Sequence, residues 1–157
     1  MVYTVGHSTR SLGELLGILR RYGIGVVVDV RRWPRSRRVP WFSRSVLSEY
    51  LPSRGIGYVW LGELLGGYRR GGYEAYMATR EYRAGIGALI ALIEAARGPV
   101  AIMCAERSWA RCHRRYIAAT LAGMGYRVLH ILDLGVVERH PQWLAGKPSP
   151  ERRLGQA

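Results

Sequence analysis

Cys104 and Cys112 are the two cysteines of the chain, and His113 directly follows the second. A thiol near an imidazole and several guanidiniums has the makings of a nucleophile. Arg107, Arg111 and Arg114 would favour its thiolate, the reactive form, as would a helix N-terminus capped by Ser108. Cys104 is the expected nucleophile, with Glu106 orienting a proton-shuttling imidazole, either His113 or His7. Cys112 is placed to resolve an oxidised Cys104, or the two are joined as a disulfide. The plainer readings are that Cys104 is a small buried residue finishing a strand and that His113, four residues before Ile117, is a hydrogen-bonded core residue. Zinc on Cys104, Cys112, His113 and His7 is a further alternative, but C-x7-C-H departs from the C-x2-4-C spacing of common structural sites. No metal or cofactor is therefore expected.

Other residues point to an anion. His7 and Ser8 follow the apolar residues 2–5 and offer a base and an anion-binding hydroxyl, or only a turn. Asp29 stands inside a valine run, where a carboxylate needs a partner. Arg31 is that partner, and the pair either orients a site or is structural. Arg31 and Arg114 are the expected anion ligands, with Arg35 beside them. Gly66 and Gly67, ahead of Arg69 and Arg70, extend the surface. Residues 31–44 and 107–115 together carry 10 of the 24 cations and no acid. The first segment also holds Trp33, Trp41 and Phe42, a mixture that suits phosphates and stacked bases, or aromatics packed on the core.

These residues need elements to gather them. Residues 2–5, 26–30, 56–61, 100–103 and 127–132 are short apolar runs of β character. Amphipathic stretches lie between them: 11–22, capped by Ser11; 44–52; a long one from Tyr73 to about Arg97; and 110–124. Residues 62–72 are glycine-rich and read as irregular. This alternation predicts an α/β fold, a three-layer, mainly parallel five-stranded sheet of Rossmann-like or rhodanese-like form. It occupies residues 1–140 as one domain, with 141–157 a loosely ordered C-terminal tail. Ligands of such sheets bind beyond the carboxyl ends of the strands, where His7, Asp29, Arg31 and Cys104 all fall.

Composition limits the function classes. The 157 residues are 48% hydrophobic, enough for a real core and against disorder. No apolar run approaches the roughly 18 residues of a membrane span, and the N-terminus carries no leader pattern, so a cytoplasmic protein without membrane partners is expected. The net charge is +13, and Lys147 is the sole lysine, so the excess is almost wholly arginine. That excludes an acidic-surface protein and favours an anionic small molecule or nucleic acid as partner. The absence of asparagine fits a GC-rich coding bias or a thermophile.

Y-T-V-G-H-S at 3–8, V-D-V-R-x-x-P-x-S at 28–36, L-G-G at 65–67 and C-A-E-x5-C-H-R at 104–114 together resemble an uncharacterised group, the domain-of-unknown-function family four-eight-eight. The resemblance runs from Val2 to about Leu132. It implies a fold and a site but no substrate. Trp109 stands near the place where the family pattern often has a proline. The layout also resembles rhodaneses and cysteine phosphatases, in which a thiolate at a strand end carries sulfur or phosphate. Their C-x5-R loop is missing, because arginines follow Cys104 at 107, 111 and 114 but not at 110. The expected function is a cysteine-dependent transferase or hydrolase acting on a phosphate-, nucleotide- or sulfur-containing anion. The alternatives are a basic nucleic-acid-binding or nucleic-acid-processing module with structural cysteines, and a zinc-stabilised interaction protein.

Overall fold

Side chains alternate along each strand, so a sheet covered on both faces needs two cores. The computed structural model, which describes residues 1–141, has both. On one face Val5, Val27, Ala101 and Met103 pack with Leu15, Leu19, Phe42, Leu47 and Leu51. On the other, Val28, Val100, Ile102 and Cys104 pack with Leu65, Leu89, Ile117 and Leu121. Burial on both faces is why these strands read as unbroken apolar runs.

The elements follow in the order β1 (Val2–Gly6), α1 (Leu12–Arg21), β2 (Val26–Asp29), α2 (Arg44–Ser53), β3 (Gly57–Trp60), α3 (Gly62–Leu65), α4 (Tyr73–Tyr76), α5 (Arg80–Ala95), β4 (Val100–Cys104), α6 (Arg114–Gly123), β5 (Val128–Asp133) and β6 (Val136–Arg139). The sheet order is β3-β2-β4-β1-β5-β6, and only β5 and β6 pair antiparallel. The three-layer, mainly parallel α/β architecture is therefore present, with six strands rather than five. β6 is exposed along its length and too short for its alternation to show in the sequence.

Ser11 caps α1 as read, and Glu14 closes a capping box with it. Three boundaries differ from the sequence reading. Residues 73–97 form two helices, because the Thr79 side chain caps a new start by accepting from the Tyr82 amide. The glycine-rich stretch contains the short α3. The helix expected over 110–124 begins at Arg114, preceded by a 3-10 turn over Trp109–Arg111, and the Ser108 side chain caps neither. The tail expected over 141–157 lies, after residue 141, outside the described residues.

β1 and β4 are neighbours with register Gly6 to Cys104. The crossover from β1 runs through α1 to β2, and the one from β4 runs through α6 to β5, in opposite directions along the sheet. The two helices pack in different cores. This is a topological switch point, the place where such sheets open a crevice beyond their strand ends. The ladder continues past the strands: the His7 and Ser8 amides donate to the Cys104 and Ala105 carbonyls, each at 2.9 Å.

This close approach requires glycine at the end of β1. A Cβ on Gly6 would overlap the Glu106 carbonyl and the Arg107 backbone. Gly6→Ala is expected to cost about 3 kcal/mol or more, because the obstacle is main chain and cannot turn aside. Urea unfolding with circular dichroism checks this.

Candidate active site

Two arginines meet at the switch point, and their surroundings differ. Asp29, fully buried at the end of β2, accepts from Arg31 Nε at 2.8 Å, Arg31 Nη2 at 2.6 Å and the Arg31 amide at 3.1 Å. Tyr58 donates its hydroxyl to the same carboxylate. Burial pulls the Arg31 pKa down, but the Asp29 bonds more than offset this and leave it raised. Arg31 Nη1 reaches His7 Nε2 at 3.2 Å, while His7 Nδ1 donates to the Ser8 carbonyl at 2.9 Å. Both ring nitrogens of His7 are thus engaged. Burial lowers its pKa from 6.5 to about 4, so the ring is neutral near pH 7.

Arg114 is 1% exposed and faces no carboxylate. Nη1 donates to Thr4 Oγ1 at 3.0 Å, and Nη2 donates to the Glu106 and Arg107 carbonyls at 2.6 and 3.3 Å. Nε has no hydrogen-bond partner among the described residues. Arg114 belongs to neither of the ion pairs at the strand ends, Arg31–Asp29 and Arg10–Asp133. What lies near Arg114 instead is sulfur, and the charge of either thiolate raises its pKa against the lowering effect of burial.

Both cysteines are free, and their Sγ atoms are 2.8 Å apart. Their other neighbours differ in kind. Cys104 faces an acceptor, the Glu106 carbonyl at 3.7 Å, which favours a proton on Cys104. Cys112 accepts the Arg114 amide at 3.4 Å, at the first turn of α6. His113 Nδ1 lies 3.6 Å from Cys112 Sγ, and its Nε2 is 2.9 Å from the Val30 carbonyl, to which it donates. Burial pushes the Cys104 thiol up, and its bond to Cys112 adds to that. Burial also pushes Cys112 up, but the hydrogen bond from Cys104, the His113 contact and the Arg114 charge outweigh it and hold Cys112 well below the usual thiol range. These contacts favour a negative charge on Cys112 over one on Cys104. The first turn of α6 lies beside Cys112, and the Arg114 charge acts on both sulfurs.

Cys104 and Cys112 line a cavity of about 570 Å³ beyond the strand ends. Glu106, His113, Arg31, Arg35 and Gly67 line it too. His7, Ser8, Asp29, Gly66 and Arg114 do not. The Glu106 carbonyl is shared by Cys104 and Arg114. Gly67 makes room for His113, since a Cβ there would meet Nδ1 at 3.2 Å. Arg69 is not part of the anion surface: Nε donates to the Gly66 carbonyl at 2.8 Å and the guanidinium covers Tyr76. Reading by spacing missed Tyr73 and Tyr116, whose stacked rings at 5.2 Å wall the cavity beside His113. Aromatic residues on helices read as core, and nothing local marks them as cavity lining.

A family model described as a domain of unknown function, DUF488, matches residues 11–121. The chain belongs to the DUF488 family. No curated protein and no solved structure matches it. In this DUF488 chain no three His, Cys, Asp or Glu side chains among the described residues gather as a metal-ion site would require. The zinc set of Cys104, Cys112, His113 and His7 is thus not assembled. His7 is held instead by Arg31 and Ser8, and His113 by Val30.

Two predictions follow from the Asp29–Arg31–His7 network. Asp29→Asn strands a buried guanidinium and is expected to cost about 3–5 kcal/mol in urea unfolding. His7 is neutral when folded, so its contribution is complete above its unfolded pKa of 6.5 and declines as pH falls to its folded value of about 4. His7→Gln should lose about 3 kcal/mol less stability over that window than the wild type, measured by urea titrations at each pH.

Proposed function

We propose that this DUF488 chain is a cysteine-dependent enzyme acting on an anionic substrate, with Cys112 as nucleophile. The observation that carries this reading is the buried Arg114, which has no carboxylate and lies against two sulfurs 2.8 Å apart at the edge of an open cavity. A buried cation requires an anion, and a thiolate on Cys112 supplies it. Cys104 holds the remaining proton and donates it to Cys112 in the resting state. The substrate's electrophilic phosphorus, sulfur or carbonyl carbon would take the place of that proton as partner of the Cys112 lone pair. The bond from sulfur to substrate forms as the bond to the leaving group breaks.

The cavity wall suits a negative charge. Arg35 and Arg111 reach it, and among the described residues neither side chain has a hydrogen-bonding or ionic partner. Arg31 adds its face while Asp29 holds it in place. With Nε2 donating to Val30, an imidazolium His113 donates Nδ1–H to the Cys112 thiolate, and that proton can pass to a leaving group. A cytoplasmic setting, which keeps thiols reduced, accords with two free cysteines. Among the described residues no helix is long and apolar enough to cross a membrane.

The test is the pH dependence of alkylation by iodoacetamide. Native protein should react at pH 7 about tenfold or more faster than a model thiol, with an apparent pKa below the usual value of about 8.5. Cys112→Ser should abolish the fast reaction, and Cys104→Ser should leave it with a changed pKa. Arg114→Met should slow it towards the model thiol. Wild-type alkylation no faster than that of the model thiol would remove the basis for the enzyme.

A further inference from the structure

The rim of the thiol cavity exposes aromatic faces that the chemistry at Cys112 does not use. Trp33 and Tyr68 are 56% and 84% exposed, with ring centroids 5.5 Å apart. Both are held in place. The Arg32 guanidinium lies over the Trp33 ring, 5.1 Å from its centroid, and Nη1 donates to the Tyr68 carbonyl at 2.6 Å. Tyr68 is kept at a φ of 60°, a region that is costly for a residue with a side chain. Flat apolar rings presented to water and fixed by their neighbours suit a flat partner.

A second cavity of about 540 Å³ lies on the far side of Trp33, lined by Ser43, Arg44, Ser48 and Trp60 among others. Arg32, Trp33 and Arg35 belong to the walls of both cavities. Each cavity has the size of a small-molecule site. A shared wall of two cations and an indole makes them one track, longer than a single nucleotide needs. Arg35 stands along it without a protein partner among the described residues, and the net charge is +13. Planar groups alternating with anions along a chain are the chemistry of a nucleic acid. A duplex hides its base faces within its own stack, so the exposed rings select an unpaired strand.

We propose that this track binds single-stranded nucleic acid, with bases stacked on Trp33 and Tyr68 and phosphates against Arg35 and Arg111, and that it delivers one residue of the strand to Cys112. The delivery rests on the enzyme reading above, whereas the binding does not. Fluorescence anisotropy with labelled oligo-dT and oligo-U of about 10 nucleotides, an abasic oligomer of equal charge and a duplex of the same length tests it. One of the two strands should bind at least tenfold more tightly than the abasic oligomer and the duplex. Trp33→Ala and Tyr68→Ala should each weaken strand binding at least fivefold, and Trp33→Phe should restore most of the loss. Both aromatic side chains are exposed, so folding is not at stake. The readout is binding and not alkylation, so a failure here is distinguishable from a failure of the enzyme reading. Equal binding of the abasic oligomer, equal binding of the duplex, or affinity unmoved by Trp33→Ala would each overturn the proposal.

Discussion

Arg114 carries a full charge at 1% exposure and spends its hydrogen bonds on uncharged oxygens of Thr4, Glu106 and Arg107. Placing an ion there costs several kcal/mol unless an opposite charge stands close by. Arg31 shows the other solution a few residues from the same strand ends. It is almost as buried, but Asp29 meets it with two guanidinium bonds, and the pair is neutral as a unit. The two arginines therefore have different effects. Arg31 is spent within the protein on the strand-end network and on His7. The unbalanced field of Arg114 falls on the cysteines, where it lowers the energy of an anionic sulfur.

That field could act on either sulfur, and hydrogen bonding decides between them. Cys104 has the Glu106 carbonyl and the Cys112 sulfur as hydrogen-bonding partners, while the Arg114 charge acts on both thiols. Cys112 has the Cys104 thiol and the Arg114 amide as donors. A proton on Cys104 has the Glu106 carbonyl within reach, whereas the Arg114 amide offers Cys112 a donor. Arg114 also ties together β1 through Thr4, the segment after β4 through two carbonyls, and α6 through its own backbone. The residue that sets the charge of the site therefore also holds the three segments that meet at the switch point. A substitution there changes folding and reactivity together, which is why the two cysteines, rather than Arg114, separate those effects.

Much of this was legible before the structure. The valine runs, the capped amphipathic stretches and the placement of polar residues just after each strand lead to a parallel sheet with a site at one edge. Asp29 in a valine strand identified its partner by charge alone. What could not be read was local geometry that depends on distant packing. The stripe of Ile117 and Leu121 continues upstream well enough to suggest a helix from Ala110, but a 3-10 turn intervenes and α6 starts at Arg114. Those four residues place the first turn of the helix beside Cys112 and not beside Cys104. That Arg114 lacks a carboxylate is likewise invisible in sequence, since a partner could have come from any strand end. β6 escaped because an exposed four-residue edge strand buries nothing and so carries no pattern.

The arginine excess divides once each side chain is placed. Arg10 goes to Asp133, Arg31 to Asp29, Arg69 to carbonyls and the Tyr76 ring, and Arg114 to the interior. These serve the fold, and the planar, always-charged guanidinium suits such multidentate roles better than an ammonium would. Arg35 and Arg111 do none of this among the described residues, yet both stand on the wall of the cavity that Cys104 and Cys112 line. Cations on a cavity wall that no carboxylate offsets draw anions towards it. Coding bias accounts for arginine in place of lysine wherever a cation stands. It does not account for two cations without partners among the described residues standing on the wall of the cavity that both cysteines line.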